Sequence, residues 1–285
     1  MNNGPKKALA IHDLSGVGRC ALSVILPTLS AMGVQVCAVP TAILSAHTAF
    51  SDVAFFDLTE YMKEALCHYK TLDIDFDCIY SGFLGSEAQI DICKEYFSAF
   101  PNTIKIVDPV MGDHGKPYKT YTPTLIKRMA ELVSEADIIT PNLTEVSMLL
   151  NEPYREMVSR VEAKQMLVKL AKKGPSMVVI TGVPLQTGEM ANLAYDKEND
   201  AFWEVICNYV PISYPGTGDI FASVLVGGIL TGDSLPMAVE RATRFLELAI
   251  NTTYGYKTDK RYGVMLEMAL PSLIKKELQN SYHSF

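Results

Sequence analysis

The chain has 285 residues, with 25 Lys and Arg against 32 Asp and Glu, a formal charge of −7. Hydrophobic residues make up 48% and charged residues 20%, which excludes disordered, collagenous and low-complexity chains and leaves enough apolar material for a sizeable core. The acid excess argues against nucleic acid or an anionic membrane as partner, whereas a small phosphorylated ligand needs only a local pocket.

Short β-rich runs alternate with helical patterns along the first two thirds. Lys7 to His12 reads as a strand and Gly18 to Met32 as a helix. Gln35 to Thr41 is a strand, and Leu58 to Tyr69 a helix with Met62, Leu66 and Tyr69 on one side. Strand and helix then alternate through Cys78–Ser81, Ser86–Phe100, Ile104–Val107, Pro123–Val133, Ile138–Thr140 and Leu143–Leu150. Val161–Lys172 follows as a helix and Met177–Thr181 as a strand. Ala191–Tyr195 and Phe202–Cys207 read as a hairpin turning at Lys197 to Asp200, and Gly218–Leu230, Ser234–Thr253 and Leu266–Leu278 as helices. Ile43 to Phe56 fits neither period and is expected to be a flap or small extension over the sheet. The order predicts one α/β domain over residues 1–285, a central, mostly parallel sheet with helices on both faces. No run approaches the ~18 apolar residues of a transmembrane helix. The N-terminal run meets Asp13 too early for a signal peptide. Cysteines 20, 37, 67, 78, 93 and 207 form no metal or CxxC spacing, which suits core thiols in a reducing cytoplasm.

Ligands of parallel α/β sheets bind beyond the carboxyl ends of the strands. The residues following each predicted strand are therefore the candidates. They are Asp13, Ser15, Gly16 and Gly18; Ser45, His47 and Thr48; Ser81, Gly82, Phe83 and Gly85; Asp108, Gly112 and Asp113; Thr140, Asn142, Thr144 and Glu145; and Thr181 with Gly182. Loops alone do not require carboxylates and small hydroxyls at nearly every one of these ends. The strongest signal is Pro215-Gly216-Thr217-Gly218-Asp219 entering an apolar helix. Its glycines free backbone N–H groups toward a ligand, and the helix N-terminus favours an anion. Asp219 is then either a helix cap or a base that takes a proton from an attacking group. Asp108 and Glu145 offer hard oxygen ligands of the kind that suit Mg²⁺, or serve as loop and helix-turn caps. No P-loop motif, no complete GxGxxG and no GxSxG are present. His47 is as well explained by packing as by a site role.

Together Gly216-Thr217-Gly218-Asp219, Asp108-Pro109-Val110-Met111-Gly112-Asp113 and Thr140-Pro141-Asn142-Leu143-Thr144-Glu145 resemble the ribokinase-like superfamily. Ser45-Ala46-His47-Thr48 and Ser81-Gly82-Phe83-Leu84-Gly85 resemble its vitamin B6 kinase branch. The resemblance runs from about Ala8 to the helix after Gly255. It implies an ATP-dependent kinase that phosphorylates the 5′-hydroxymethyl group of pyridoxal, pyridoxamine or pyridoxine. By that resemblance Asp219 is the base, and Gly216, Thr217 and Gly218 form the anion hole. Asp108 and Glu145 hold Mg²⁺, with Thr140, Asn142 and Thr181 near the ATP phosphates and Val210 and Pro211 beside the adenine. Asp13, Ser15, His47, Thr48 and Phe83 line the pyridine pocket. The resemblance also implies a homodimer, formed through the aperiodic Ile43–Phe56 stretch, and a monovalent cation is left open. Thr217 stands where sugar kinases carry alanine, which disfavours a sugar. Asp13 and Phe83 stand where larger B6 kinases carry Ser and Tyr, and Asp13-Leu14-Ser15-Gly16 instead resembles a shorter bacterial pyridoxamine-kinase branch and, slightly, the hydroxymethylpyrimidine kinases of thiamine synthesis. That ring, and a non-catalytic B6-binding relative, stay open as alternatives.

Overall fold

A computed structural model describes residues 4–208 and 212–274 and the short strand His283–Ser284. Six strands run parallel in the middle of the sheet: β1 (Lys7–Ser15), β2 (Gln35–Leu44), β4 (Cys78–Ser81), β5 (Ile104–Val107), β8 (Ile138–Ile139) and β9 (Met177–Pro184). Among the described residues the sheet order is β12-β11-β10-β9-β8-β5-β4-β1-β2-β3. The outer strands β3 (Phe55–Asp57), β10 (Met190–Asp196), β11 (Ala201–Cys207) and β12 (His283–Ser284) are antiparallel to their neighbours. One antiparallel edge follows from the predicted hairpin, whose strands pair from Met190 with Cys207 to Asp196 with Ala201.

Alternation along the buried strands divides the core. Leu9, Ile11, Ile79, Val107 and Ile139 pack on one face, beneath α2 (Thr59–Tyr69), α3 (Glu87–Ala99), α4 (Pro123–Val133), α5 (Leu143–Leu150) and α6 (Arg160–Ala171). Ala8, Ala10, Cys78, Tyr80, Ile106 and Ile138 face α1 (Leu22–Ala31), α7 (Thr217–Leu230), α8 (Leu235–Tyr256) and α9 (Leu266–Ala269). Local sequence sets the helix starts. Ser86 and Thr122 accept from Gln89 and Leu125 N–H groups, and Ser159 with Glu162 forms a capping box. α7 is buried on nearly every side, which is why its sequence is apolar around its whole circumference. Gly227 lets it approach α1, since a Cβ there would lie 2.5 Å from the Met32 sulfur.

Two expectations are corrected. Ile43–Phe56 is not a flap over the sheet. It runs out of β2 and returns as β3, adding an edge strand in the plane of the sheet through Ala42–Asp57, Ile43–Phe56 and Leu44–Phe55 pairs. Leu266–Leu278 is not one helix. α9 gives way at Leu270 to a 3₁₀ stretch reaching Ile274, because Pro271 has no N–H to continue the α ladder; the rest of that range lies outside the described residues. The Gly112–Tyr121 stretch also contains a small hairpin, β6 (Gly112–Asp113) with β7 (Lys116–Pro117), too short to show a period. Among the described residues no helix is long and apolar enough to cross a membrane.

Candidate active site

The carboxyl ends of β1, β4, β5 and β8 form the floor of the site. Ile11, Ser81, Val107 and Ile139 stand in one register. One residue further along come His12, Gly82, Asp108 and Thr140. Strand alternation turns all four toward the face carrying α1 and α7. Opposite Asp13 the register slips, with β2 carrying Thr41 and Ala42 against the single β1 residue. Such a bulge re-aims the chain at the end of a strand.

Gly216 starts α7 in the left-handed region at φ 79°. A side chain there would collide with the Arg19 carbonyl at 2.1 Å, so this close turn requires glycine. The Thr217 hydroxyl donates to the Tyr214 carbonyl at 3.1 Å and closes the turn. Gly218 is exposed, with no protein atom within 4 Å of where its Cβ would be. The N-cap has no side chain to occupy the first N–H groups of α7, so they remain donors for an anion.

Asp219 Oδ2 accepts the Ala21 N–H at 2.8 Å. Ala21 itself has φ 48° and ψ −137°, an uncommon conformation for alanine, held at the point where β1 passes into α1. Burial, with help from the Asp13 charge, lifts the Asp219 carboxyl to about 7 against the pull of the Ala21 N–H. The Asp13 carboxyl is raised to about 6, again chiefly by burial, while the Ser15 hydroxyl donates to its Oδ2 at 3.3 Å. Cys20 stands near both carboxylates. Its thiol is driven up by burial first and then by these two charges, so it stays protonated.

Asp108 and Glu145 are 6% and 3% exposed. Burial raises both carboxyls; the Asp219 charge raises Asp108 further, and the Asp108 and Asp113 charges raise Glu145, against the pull of the Thr140 hydroxyl on Asp108 and of the Asn142 and Met111 N–H groups on Glu145. Glu145 also completes the capping box that starts α5. Its Oε2 accepts the Asn142 N–H at 2.8 Å and its Oε1 the Met111 N–H at 3.2 Å. Asn142 returns the cap by accepting from the Glu145 N–H at 3.0 Å, and donates from Nδ2 to the Gly112 carbonyl at 2.9 Å. Asn142 and Glu145 therefore bind the β6 turn to α5 before any ligand is considered. Among the described residues no group of three or more His, Cys, Asp or Glu side chains is placed to cage a metal. Two buried carboxylates without a compensating base do fit Mg²⁺, which binds through few carboxylates and completes its shell with water and substrate phosphate.

The remaining predicted residues divide. Thr181 is half-buried and its N–H donates to the Pro141 carbonyl at 3.0 Å, beside Asn142 across a parallel bridge. Phe83 is half-buried and edge-on to Tyr121, with ring centroids 6.1 Å apart. Thr48 is exposed on the loop after β2. His47 uses both ring nitrogens on backbone: Nε2 meets the Arg261 carbonyl, and Nδ1 accepts the Ala49 N–H at 3.3 Å. Its ring also fills the space over Gly18, where a Cβ would lie 2.1 Å away. His47 thus anchors its loop to the 259–263 turn and offers a substrate a ring edge rather than a free nitrogen. Val210 and Pro211 lie outside the described residues.

Four neighbours of the site escaped the sequence reading. Cys20 and Ala21 precede a helix and carry no motif. His12 is hidden inside an apolar strand. Tyr118 lies just beyond the small hairpin; the residue is 41% exposed, but its hydroxyl end is buried enough to raise the phenol, with Glu145, Asp113, Asp219 and Asp108 adding to the shift, which puts it at the rim of the carboxylate cluster. Its one available signal is an aromatic residue shortly after Asp108-Pro109-Val110-Met111-Gly112-Asp113.

The sequence pattern of the phosphomethylpyrimidine kinase family matches residues 25–265. A Bacteroides thetaiotaomicron protein, provisionally named a phosphomethylpyrimidine kinase and crystallised with pyridoxal, is 44% identical. Its TM-score is 0.95, over 99% of this chain and 100% of that one. The pyridoxal kinase of Lactobacillus plantarum is 30% identical with a TM-score of 0.87, over 94% of this chain and 96% of the other. A pyridoxal kinase of Granulibacter bethesdensis is 28% identical over 249 residues, 82% of each chain.

Proposed function

The chain belongs to the phosphomethylpyrimidine kinase family, and within it we propose that the protein moves the γ-phosphoryl group of ATP to the 5′-hydroxymethyl group of pyridoxal, pyridoxamine or pyridoxine. The observation that carries this reading is the meeting of the Asp219 carboxylate, held at one oxygen by Ala21, with the uncapped first turn of α7.

Phosphoryl transfer asks a protein mainly for positioning and charge stabilisation. Asp219, raised to about 7, is half ionised near neutral pH and basic enough to take the hydroxymethyl proton as the oxygen attacks. The N–H groups of Gly216, Thr217 and Gly218 would receive charge on the transferring group. Thr140, Asn142 and Thr181 border the phosphates. Asp108 and Glu145 would hold Mg²⁺, which when bound neutralises phosphate charge. Asp13, Ser15, Phe83 and the edges of His47 and Thr48 would surround the ring, with Asp13 available to a ring N–H or an amine.

The 44% identical protein crystallised with pyridoxal favours a B6 ring over a pyrimidine. Hydroxymethylpyrimidine remains the second reading, because the family pattern carries that chemistry in its name. We take residues 1–285 as one kinase domain in a reducing cytoplasm, where the six free cysteines fit. A homodimer is supported by the β3 edge, where Ile43, Phe55 and Phe56 are 45%, 53% and 67% exposed. Light scattering on Phe56→Asp should then give a monomer where the unaltered chain gives a dimer.

The function is tested by ADP release with Mg·ATP and each B6 ring, with Asp219→Ala as control. Ring-dependent release that falls ~10²-fold or more in the variant, while nucleotide still binds, is expected of a lost general base. Turnover of Asp219→Ala within a few-fold of the unaltered enzyme would sink the assignment. Pyridoxal binding without ADP release would instead mark a non-catalytic relative.

A further inference from the structure

His12 is fully buried, yet among the described residues neither ring nitrogen makes a well-formed hydrogen bond, the Tyr80 backbone being its nearest polar neighbour. A neutral imidazole carries one donor and one acceptor, and leaving both unmet inside a protein is costly. The surrounding groups are in the same condition. The Tyr80 ring meets His12 edge-on at 4.3 Å, and its hydroxyl is buried without a well-formed hydrogen bond, near the Ser223 side chain and the Asp108 charge. The Thr140 hydroxyl, two strands beyond Gly82 in the same row, is buried without a well-formed hydrogen bond, and lies close enough to the Asp108 carboxyl to hold it down.

The direction of the His12 ring is fixed by its neighbour. A Cβ on Gly82 would lie 2.2 Å from His12 Cε1, so the imidazole occupies the place of the missing side chain between β1 and β5. That turns the ring along the row toward Asp108, away from the β2 side. An apolar ring would fill the same volume without stranding two polar atoms, so packing alone does not account for histidine here. Polar atoms so clustered are normally satisfied by internal water, and here the cluster adjoins a carboxylate of the phosphoryl-transfer site.

We propose that His12 is a positioning residue for Asp108: its ring nitrogens and the hydroxyls of Tyr80 and Thr140 hold a small cluster of internal waters that bridges to the Asp108 carboxylate and fixes its orientation. The inference rests on the kinase reading for its catalytic consequence, but not for the cluster itself. His12 touches no substrate. It acts through Asp108, so its loss is felt in Mg·nucleotide handling rather than in ring binding.

Two measurements test it. A high-resolution crystal structure of the unaltered protein should show ordered water joining His12 to the Asp108 carboxyl. His12→Phe keeps the ring volume and the edge-on contact with Tyr80 but removes both nitrogens, while His12→Gln restores a donor and an acceptor. Loss of a hydrogen-bonding post should weaken Mg·ADP binding by calorimetry about tenfold in His12→Phe, with substantial recovery in His12→Gln. kcat should fall in parallel while KM for the vitamin ring and the melting temperature stay close to those of the unaltered protein. Dry density around His12, with its ring bonded directly to Tyr80 or Thr140, overturns the proposal. So does a folded His12→Phe with unchanged Mg·ADP affinity. If no ring supports ADP release, the function falls while the density and the calorimetry still decide this inference.

Discussion

Replacing Gly218 by alanine separates the folding role of the α7 start from its chemical role. Gly218 is exposed, and a methyl group built on it meets no protein atom within 4 Å. Its φ lies outside the left-handed region that disfavours alanine. Alanine should therefore be tolerated and should stabilise the helix by about 0.5–1 kcal/mol through lower backbone entropy in the unfolded chain. For a chain of this size that is a melting-temperature rise of about 2 °C. If the first N–H groups of α7 receive the phosphoryl charge, the same methyl intrudes where the anion must approach. The N–H itself is kept, so the loss comes from holding the anion away from it, with removal of such a donor, about 10²-fold in kcat, as the scale of the effect. The assay pairs a thermal melt of the free protein with ADP release under saturating Mg·ATP. A more stable, poorly active variant is the expected result. A variant as active as the original would refute the anion-hole account, because no protein clash exists to blame or to compensate.

Gly216→Ala should behave in the opposite way, since its Cβ would sit 2.1 Å from the Arg19 carbonyl at φ 79°; denaturant melts should register a loss of at least about 2 kcal/mol. Asn142→Ala removes the α5 cap and the bond to Gly112. It should cost about 1–2 kcal/mol in the free protein, read by the same melts, and an unchanged midpoint would show that the cap carries no weight. The free protein should also lose stability as pH rises from 6.5 to 8.5. Asp219 titrates at about 7 when folded and near ~3.9 when unfolded, so the folded state holds the extra proton and gives it up across that window. Buried His12, lowered to about 3, acts with the reverse sign, and its effect is confined below the ordinary histidine range near ~6.5. Rising stability across the window would contradict the raised Asp219.

The ribokinase-like architecture was legible because buried parallel strands read as unbroken apolar runs, and Cys78–Ser81, Ile104–Val107, Pro123–Val133 and Leu143–Leu150 fall where their patterns end. The sheet edge that carries the site was legible for the same reason, since polar residues begin where each buried run stops. What each residue does there was less so. The Asn142…Glu145 spacing is a capping-box pattern as well as a candidate ligand pair, and the structure uses it as the former while leaving the carboxylate beside Asp108. His47 looked available in sequence, but beside its local partner Ala49 its other nitrogen meets the Arg261 carbonyl, which no local pattern brings near. Ala21 and His12 were invisible because their roles depend on strand register and on the turn into α1, not on spacing. Ile43–Phe56 escaped because an irregular return to a three-residue edge strand has no period to detect.

The most direct test of the central claim is kcat/KM for ADP release with pyridoxal, pyridoxamine, pyridoxine and hydroxymethylpyrimidine, measured on one preparation under the same Mg·ATP. A pocket built for a B6 ring should favour at least one of the three vitamers over the pyrimidine by about tenfold or more. A higher value for hydroxymethylpyrimidine, or no ADP release with any B6 ring, would contradict it.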